Sequence, residues 1–152
     1  GTSMNQPALA TNGRRRMAGV TLLELMAVVT VIGVLGMIAL PSYRQYVMRA
    51  QRTEAKTALL QLATNQERFY LANRTYAADA NLVALGFPAN GKTEKGTYIL
   101  TLTGVDAVGY TATATPTMGG AIDMTADAMC TSFSITAQGV RTATGTSAAT
   151  CW

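Results

Sequence analysis

The sequence predicts an α+β fold, in which a long N-terminal helix with an apolar half and an amphipathic half packs on an antiparallel β-sheet of three or four strands. One observation is a continuous helical pattern over residues 20–72. The other is a change after Asn73 to threonine, glycine and alanine, with short segments that alternate between apolar and polar residues. The length of 152 residues suits one domain with an appended segment.

The first half of the predicted helix, residues 20–40, carries a single charge, Glu24. Its length is about that needed to cross a bilayer as a helix. An ordinary secretory signal has a shorter apolar core, and its small-residue cleavage site follows that core. Here the small residue Gly19 precedes the apolar run, directly after a basic segment that contains Arg14–Arg16. A cut at Gly19 would therefore retain the apolar run in the mature chain.

The second half, residues 41–72, has apolar residues at three- to five-residue steps and no glycine or proline from Ser42 to Tyr76. Pro41 is expected to kink or loosen the helix, because it lacks a donor and its ring crowds the preceding turn. A helix over 20–72 would be roughly 80 Å long at 1.5 Å per residue. A small domain cannot bury a helix of that length, so its front half must lie in a membrane or against other subunits.

Three alternating segments predict an antiparallel meander, with glycines supplying the turns between them. Residues 143–149 are small and polar and are assigned to a loop. The apolar face of the sheet is expected to pack on the side of the helix that bears Leu59, Leu62 and Phe69. The predicted strands are 97–103, 110–115 and 131–136.

Composition excludes most catalytic chemistry. Histidine is absent and only eight residues are acidic, so no serine has an imidazole to activate it and no metal site is predicted. No glycine-rich phosphate loop precedes a basic helix. We expect neither catalysis nor a cofactor. The formal charge of +4 falls to +1 without the three arginines Arg14–Arg16, so the basicity belongs mostly to the segment before the apolar run.

Cys130 and Cys151 are the two cysteines. An even count in a membrane-targeted chain favours a disulfide formed in an oxidising compartment, and two buried free thiols are the alternative. Closing the loop between them would contribute roughly 3 kcal/mol on the chain-entropy model.

The segment RRRMAGVTLLE, Arg14 to Glu24, resembles the leader junction of type IV pilins and the related pseudopilins, and the similarity extends through Gly33, Pro41 and Tyr46. The resemblance implies that prepilin peptidase cuts between Gly19 and Val20, that Val20 is N-methylated, and that Glu24 and Pro41 serve assembly. Val20 departs from the phenylalanine or methionine usual at the first mature position.

The Cys130…Cys151-Trp152 ending resembles the disulfide-bounded C-terminal region of type IVa pilins, particularly minor pilins. The resemblance implies a structural subunit held in the inner membrane and then packed into an extracellular pilus (fimbrium). Its partners would be other pilin subunits, prepilin peptidase and the inner-membrane assembly machinery. The expected divisions are a cloning remnant (1–3), a leader (4–19), the apolar helix (20–40), the amphipathic helix (41–72), an αβ loop (73–96) and the sheet with its C-terminal region (97–152).

Glu24 supports the same interpretation on physical grounds. A carboxylate inside an apolar run is costly and normally marks a function or a partner. A cut after Gly19 creates an α-amino group on Val20, about one helical turn away. In a filament, Glu24 would neutralise the amine of a neighbouring subunit in a core of low dielectric constant.

Several alternatives stay open. The alternatives to a minor pilin are a major pilin, a pilin that binds DNA for uptake, a type II secretion pseudopilin, a signal anchor and a membrane-tethered binding domain. Asp123 and Asp127 suggest a pseudopilin calcium loop, although a solvated loop is the better interpretation. Trp152 either closes the C-terminal loop on the sheet or contacts another subunit. One set of cations lies on the helix and either contacts nucleic acid or, more often for such a face, is solvated or pairs with acidic neighbours: Arg44, Arg49, Arg52 and Lys56. A second, diffuse set is also considered for DNA: Arg68, Arg74, Lys92, Lys95 and Arg141.

Overall fold

The computed structural model describes residues 1–5, 8, 13 and 19–152. The predicted basic segment Arg14–Arg16 lies outside these residues. The chain divides into two compact units, Gly1–Ala39 and Leu40–Trp152. The described elements are helix α1 (Leu22–Asn73), strands β1 (Tyr98–Thr103), β2 (Thr111–Pro116), β3 (Ser132–Thr136) and β4 (Arg141–Thr144), and short 3₁₀ helices at Asp79–Leu85, Met124–Ala126 and Ala148–Thr150.

Helix α1 begins with a side-chain cap. The Glu24 backbone N–H donates to Thr21 Oγ1 at 3.1 Å, which satisfies one of the first-turn donors that lack an intrahelical acceptor. The carboxylate of Glu24 also lies in the first turn, where the helix dipole favours negative charge. Thr21 and Glu24 therefore start the helix, in addition to any role in assembly.

The helix continues through Pro41 and ends at Asn73. Proline removes one helical hydrogen bond, and here that loss does not interrupt the helix. Arg74 then adopts the left-handed conformation (φ 57°), and its N–H donates to Tyr70 O at 2.7 Å, which closes the last turn.

The four strands form one antiparallel sheet in the order β1-β2-β3-β4. The three predicted strands are confirmed to within one residue at each end, as is the packing of the long helix on an antiparallel sheet. The loop assignment over 143–149 is wrong at its start, because Ala143 and Thr144 belong to β4. Strand β4 pairs with β3, with Phe133 opposite Ala143. It is largely exposed at the sheet edge, so its sequence RTAT carries no apolar alternation that would reveal a strand.

The core of the second unit lies between the rear half of α1 and the sheet, as predicted. Leu59 and Leu62 are fully buried on the helix, and Phe69 packs against the same cluster from a partly buried position. The facing residues of the sheet include Tyr98, Leu100 and Phe133. This unit thus has a hydrophobic core of its own, built from residues 48–151.

Candidate functional site

The residues predicted for processing and assembly are exposed. Val20 is 69% exposed, and a Cβ added to Gly19 would meet no atom within 4 Å. The fold therefore does not require glycine at position 19. Recognition of Gly19 by a peptidase stays a prediction.

The apolar half of α1 has no polar face. One 18-residue window near its start has a mean hydropathy of 2.4, and none of it is buried, so the helix is long and apolar enough to cross a membrane. Large side chains are exposed on every side, including Leu23 at 79% and Met37 at 78%. A helix that is apolar all round belongs in a bilayer or inside an assembly.

Glu24 is the only charge in that apolar segment, and it is exposed. The one ion pair within the described residues joins Arg52 to Asp127. Glu24 therefore has no cationic partner in the part of the chain that the structure describes. The pairing of Glu24 with the amine of a neighbouring subunit stays a prediction.

Arg52 and Asp127 form a buried bidentate ion pair that sequence reasoning missed. Arg52 Nε and Nη2 donate to Asp127 Oδ2 and Oδ1 at 2.6 and 2.7 Å, across 75 positions of sequence. Donating hydrogen bonds to the Asp127 carboxylate raises the pKa of the Arg52 guanidinium. The solvated-loop interpretation is wrong for Asp127, whose side chain is 1% exposed, whereas Arg52, at 10% exposed, pairs with an acidic residue, which is one of the two interpretations given above for the helix cations. The available signal was helical spacing, since Arg52 precedes the buried Ala55 and Leu59 by three and seven positions.

Asp127 also organises the disulfide-closed segment. Its Oδ1 accepts the backbone N–H of Met129 at 3.2 Å and of Cys130 at 3.4 Å. Cys130 is joined to Cys151 by a disulfide. Asp123 caps the Met124–Ala126 helix by accepting the Thr125 N–H. One carboxylate is therefore bonded to Arg52 and the other to a helix cap, and among the described residues no group of three or more His, Cys, Asp or Glu side chains could hold a metal ion.

Trp152 closes the C-terminal segment on the sheet. Its ring meets Phe133 edge-on with centroids 5.9 Å apart, and its Nε1–H donates to Thr142 O at 2.6 Å. The Arg141 guanidinium lies 5.4 Å from the centre of the indole ring, within range of a cation–π contact. The ring is still partly exposed, so closing the loop does not prevent an outward contact.

The five cations of the diffuse set are all exposed, and they occur in three different settings. Lys92 and Lys95 border a groove of about 580 Å³ between the loop 86–95 and the helix face that bears Glu54. Glu54 accepts hydrogen bonds from the Lys95 backbone N–H and from Thr97 Oγ1. Arg141 covers Trp152, and Arg68 and Arg74 lie at the end of α1.

A row of three tyrosines near the end of α1 was also missed. Tyr70 and Tyr76 stack with centroids 4.9 Å apart, and Tyr76 meets Tyr110 edge-on at 4.9 Å. Tyr110 is buried, and burial raises its pKa to about 12. The Tyr76 hydroxyl donates to Glu67 Oε1 at 3.3 Å. Because Tyr70 lies on α1 while Tyr76 and Tyr110 lie in the connections after α1 and before β2, sequence periodicity does not reveal the row.

Two proteins to which this chain is similar, one in sequence and one in fold, are both pilins. The type IV major pilin protein PilA of Myxococcus xanthus (strain DK1622) is 42% identical over 66 residues, 43% of this chain but only 30% of that protein. The non-core minor pilin PilV of Neisseria meningitidis is similar in fold, with a TM-score of 0.50 and 24% identity over 66% of this chain and 90% of that one.

A protein-family model described as "Type IV minor pilin ComP, DNA uptake sequence receptor" matches residues 41–134. That range includes the rear half of α1, strands β1 and β2, the first three residues of β3 and both members of the buried ion pair. The match covers more than half of the chain and lies outside the generic apolar segment. The chain therefore belongs to the family of the type IV minor pilin ComP.

Proposed function

We propose that this protein is a minor structural subunit of a type IV pilus, processed between Gly19 and Val20 and assembled through residues 20–40. The observation that carries the proposal is the contrast between two parts of one chain. Residues 22–40 expose apolar side chains on every side, whereas the unit Leu40–Trp152 has a closed core of its own. The apolar segment contributes nothing to that core, so its role lies in the inner membrane before assembly and between subunits afterwards.

Glu24 would set the position of the subunit in the filament. Cleavage creates an α-amino group on Val20, four residues before Glu24. A carboxylate taken into an apolar core needs a cationic partner, because an unpaired charge there is strongly disfavoured. The amine of a neighbouring mature subunit is a cation at a matching depth. An uncut leader removes that amine and places Arg14–Arg16 beside the packing surface, so the uncut chain is expected not to polymerise.

Cleavage is tested with Gly19→Val, and Gly13→Val is the matched control, because an added Cβ is unhindered at both positions. After expression with prepilin peptidase, intact-mass analysis should find the wild type and the control cut before Val20 and the Gly19 variant uncut. The mass of the mature wild type also reports whether Val20 carries a methyl group. Equal cleavage of both variants would contradict recognition at Gly19.

Assembly is tested with Glu24→Gln, which keeps the shape of the side chain and removes its charge. The matched control is Glu67→Gln, an exposed glutamate on the same helix. We expect only the Glu24 variant to be lost from sheared pilus fractions, while both keep the melting temperature of the unit Leu40–Trp152. Normal incorporation of Glu24→Gln would show that the charge does not drive assembly.

A second candidate function is DNA binding during uptake, and the family match favours it. The matched family is described as a DNA uptake sequence receptor, and residues 41–134 of this chain contain the exposed cations Arg49, Arg74 and Lys92. The purified protein in detergent should bind a fluorescent mixed-sequence duplex, with an affinity that falls as salt rises, because phosphate contacts release counterions. An absence of salt-dependent binding would contradict this second function and leave the structural one intact.

A further inference from the structure

The two outer strands of the sheet differ in what covers their free edges. The outer edge of β1 is covered by the loop that precedes it. The Leu100 N–H donates to Gly91 O at 2.7 Å, and Lys92 forms an isolated β-bridge with Ile99. Strand β4 pairs with β3 on one side, and among the described residues no strand pairs with its other side. Strand β4 therefore provides the open edge of the sheet.

The hairpin that joins β3 to β4 shows which backbone groups of β4 face outward. The Thr136 N–H donates to Val140 O at 3.0 Å, so position 140 faces β3. Backbone groups in an antiparallel strand point alternately toward the neighbouring strand and away from it. Every second position after 140 therefore faces β3 as well. The N–H and C=O groups of Arg141 and Ala143 point in the opposite direction, toward the open edge.

These outward groups are available to another strand. The N–H and C=O groups of Arg141 and Ala143 make no hydrogen bond within the part of the chain that the structure describes. Edge strands are commonly protected from pairing by proline, by a bulge or by exposed charges. Strand β4 contains no proline, and its one charge, Arg141, lies against the Trp152 ring, with the guanidinium 5.4 Å from the ring centre. An exposed edge of this kind is a template for a further strand.

A groove of about 330 Å³ lies beside the open edge. It is lined by β4 and the C-terminal segment, through Arg141, Thr142, Ala143, Ala148, Ala149 and Trp152. Except for the arginine and the tryptophan, its lining side chains are small. When a strand is added to a sheet, its side chains alternate between the two faces, and pockets on one face provide specificity. The groove is a place for such a side chain.

The charge around the groove indicates what that side chain is. Residues 128–152 contain one charged side chain, Arg141, and no aspartate or glutamate. The Arg141 guanidinium lies outside the one ion pair of the described residues, so its N–H donors have no carboxylate there. A carboxylate on an added strand would accept charge-assisted hydrogen bonds from this guanidinium. A second copy of β4 would bring another arginine and no carboxylate, so a segment of a different protein suits the edge better.

We propose that the outer edge of β4 binds an extended segment of another protein, which joins the sheet as a further strand and places an acidic side chain beside Arg141. The backbone groups of Arg141 and Ala143 supply the hydrogen bonds that hold the segment, and the groove with Arg141 selects its side chains. This binding is independent of assembly through Glu24 and of DNA binding.

The test uses the intact protein in detergent and a fluorescein-labelled peptide, Thr-Val-Glu-Val-Thr, whose binding is followed by fluorescence anisotropy. Ala143→Pro removes an outward N–H and leaves the bonds to β3, because proline is tolerated in an edge strand when its nitrogen faces away from the sheet. Ala143→Ser keeps the N–H and is the matched control. We expect the proline variant to bind the peptide about tenfold more weakly and the serine variant to bind it like wild type.

The role of Arg141 is tested with Arg141→Gln and with a second peptide in which glutamine replaces the glutamate. We expect Arg141→Gln to weaken binding of the glutamate peptide about two- to fivefold, as for a partly exposed ion pair, and to leave binding of the glutamine peptide unchanged. Equal losses with both peptides would overturn the assignment of the acidic side chain to Arg141.

Methylated peptides test strand addition without changing the protein. Residues directly opposite each other in an antiparallel pair have side chains on the same face, and at Arg141 their backbone groups point toward each other. A glutamate that reaches Arg141 therefore has its N–H toward β4, whereas the N–H of each valine points away. We expect N-methylation of the glutamate to abolish binding and N-methylation of one valine to leave it intact. This comparison holds even if Ala143→Pro does not fold, which its melting temperature reports.

Three outcomes would overturn the inference and leave the proposed role in the pilus untouched. The first is no binding of the unmodified peptide to wild type at about 1 mM, a concentration that reveals even weak complexes. The second is equal binding of the two methylated peptides. The third is a wild-type dimer in solution that Ala143→Pro converts to a monomer, which would assign the edge to a second copy of this chain.

Discussion

Deleting the carboxylate of Asp127 should strongly destabilise the unit Leu40–Trp152. In Asp127→Ala, the Arg52 guanidinium stays in a site where its side chain is only 10% exposed, and it loses two hydrogen bonds of 2.6 and 2.7 Å. Removing one member of a buried pair costs about 3–5 kcal/mol, since the remaining charge is desolvated and unpaired. For a unit of roughly one hundred residues, that corresponds to a fall in Tm of roughly 12–25 °C.

The assay is thermal unfolding of the intact protein in detergent, followed by near-ultraviolet circular dichroism. The single variant Arg52→Met and the double variant Arg52→Met with Asp127→Ala complete the cycle, because replacing both charges with apolar side chains is often nearly neutral. We therefore expect the double variant to lie much closer to wild type than either single variant. Arg49→Met, at an exposed position one turn earlier, is the control and should change the stability by less than about 0.5 kcal/mol.

Two results would refute this reasoning. If either single variant cost less than about 1 kcal/mol, the pair would behave like a solvent-exposed ion pair. If the effects of the two single variants simply added in the double variant, the side chains would not be coupled.

Three further predictions concern the same unit. Cys130→Ser or Cys151→Ser should lower the unfolding free energy by roughly 3 kcal/mol in chemical denaturation, an effect that reductant should reproduce in the wild type alone. Burial raises the pKa of Tyr98, and it raises the pKa of Tyr110 to about 12. The stability that the two side chains confer is therefore complete below pH 10 and is lost as the pH rises through their folded pKa values. Constant stability from pH 9 to 12 would contradict this. Gly145→Ala should lower Tm, because its φ of 129° is unfavourable for alanine and the new Cβ would collide with a backbone carbonyl of the disulfide-closed segment.

Much of the fold follows from local sequence patterns. The apolar run and the three- to five-residue spacing that follows it predict α1, and alternation predicts β1, β2 and β3. The rear half of α1 and the strands β1, β2 and β3 each bury one face, and that face gives the apolar residues their regular spacing. Strand β4 has almost no buried face, so its pairing depends on the preceding turn and on β3. A strand that forms mainly by pairing with its neighbour does not need alternating apolar residues, so its own sequence does not predict it.

The processing and assembly residues are specified by the sequence in another way. Gly19 and Val20 stand out because they join a basic segment to an apolar run, and Glu24 stands out because it is the single charge in that run. The fold makes little use of them, since Gly19 and Val20 are exposed and Glu24 contributes only its place in the first turn. Their roles stay predictions, because the groups that would recognise them belong to other molecules.

The sequence by itself determined the apolar and amphipathic halves of the helix and three strands, since these depend on periodicity and composition. The tertiary structure alone decided which charges are buried and which remain available. Arg52 and Arg49 are both arginines on one helix, yet only Arg52 meets Asp127, 75 positions away. Arg74 becomes notable only through its backbone angle. Long-range pairing and left-handed geometry depend on how the chain packs, and no local pattern of residues encodes them.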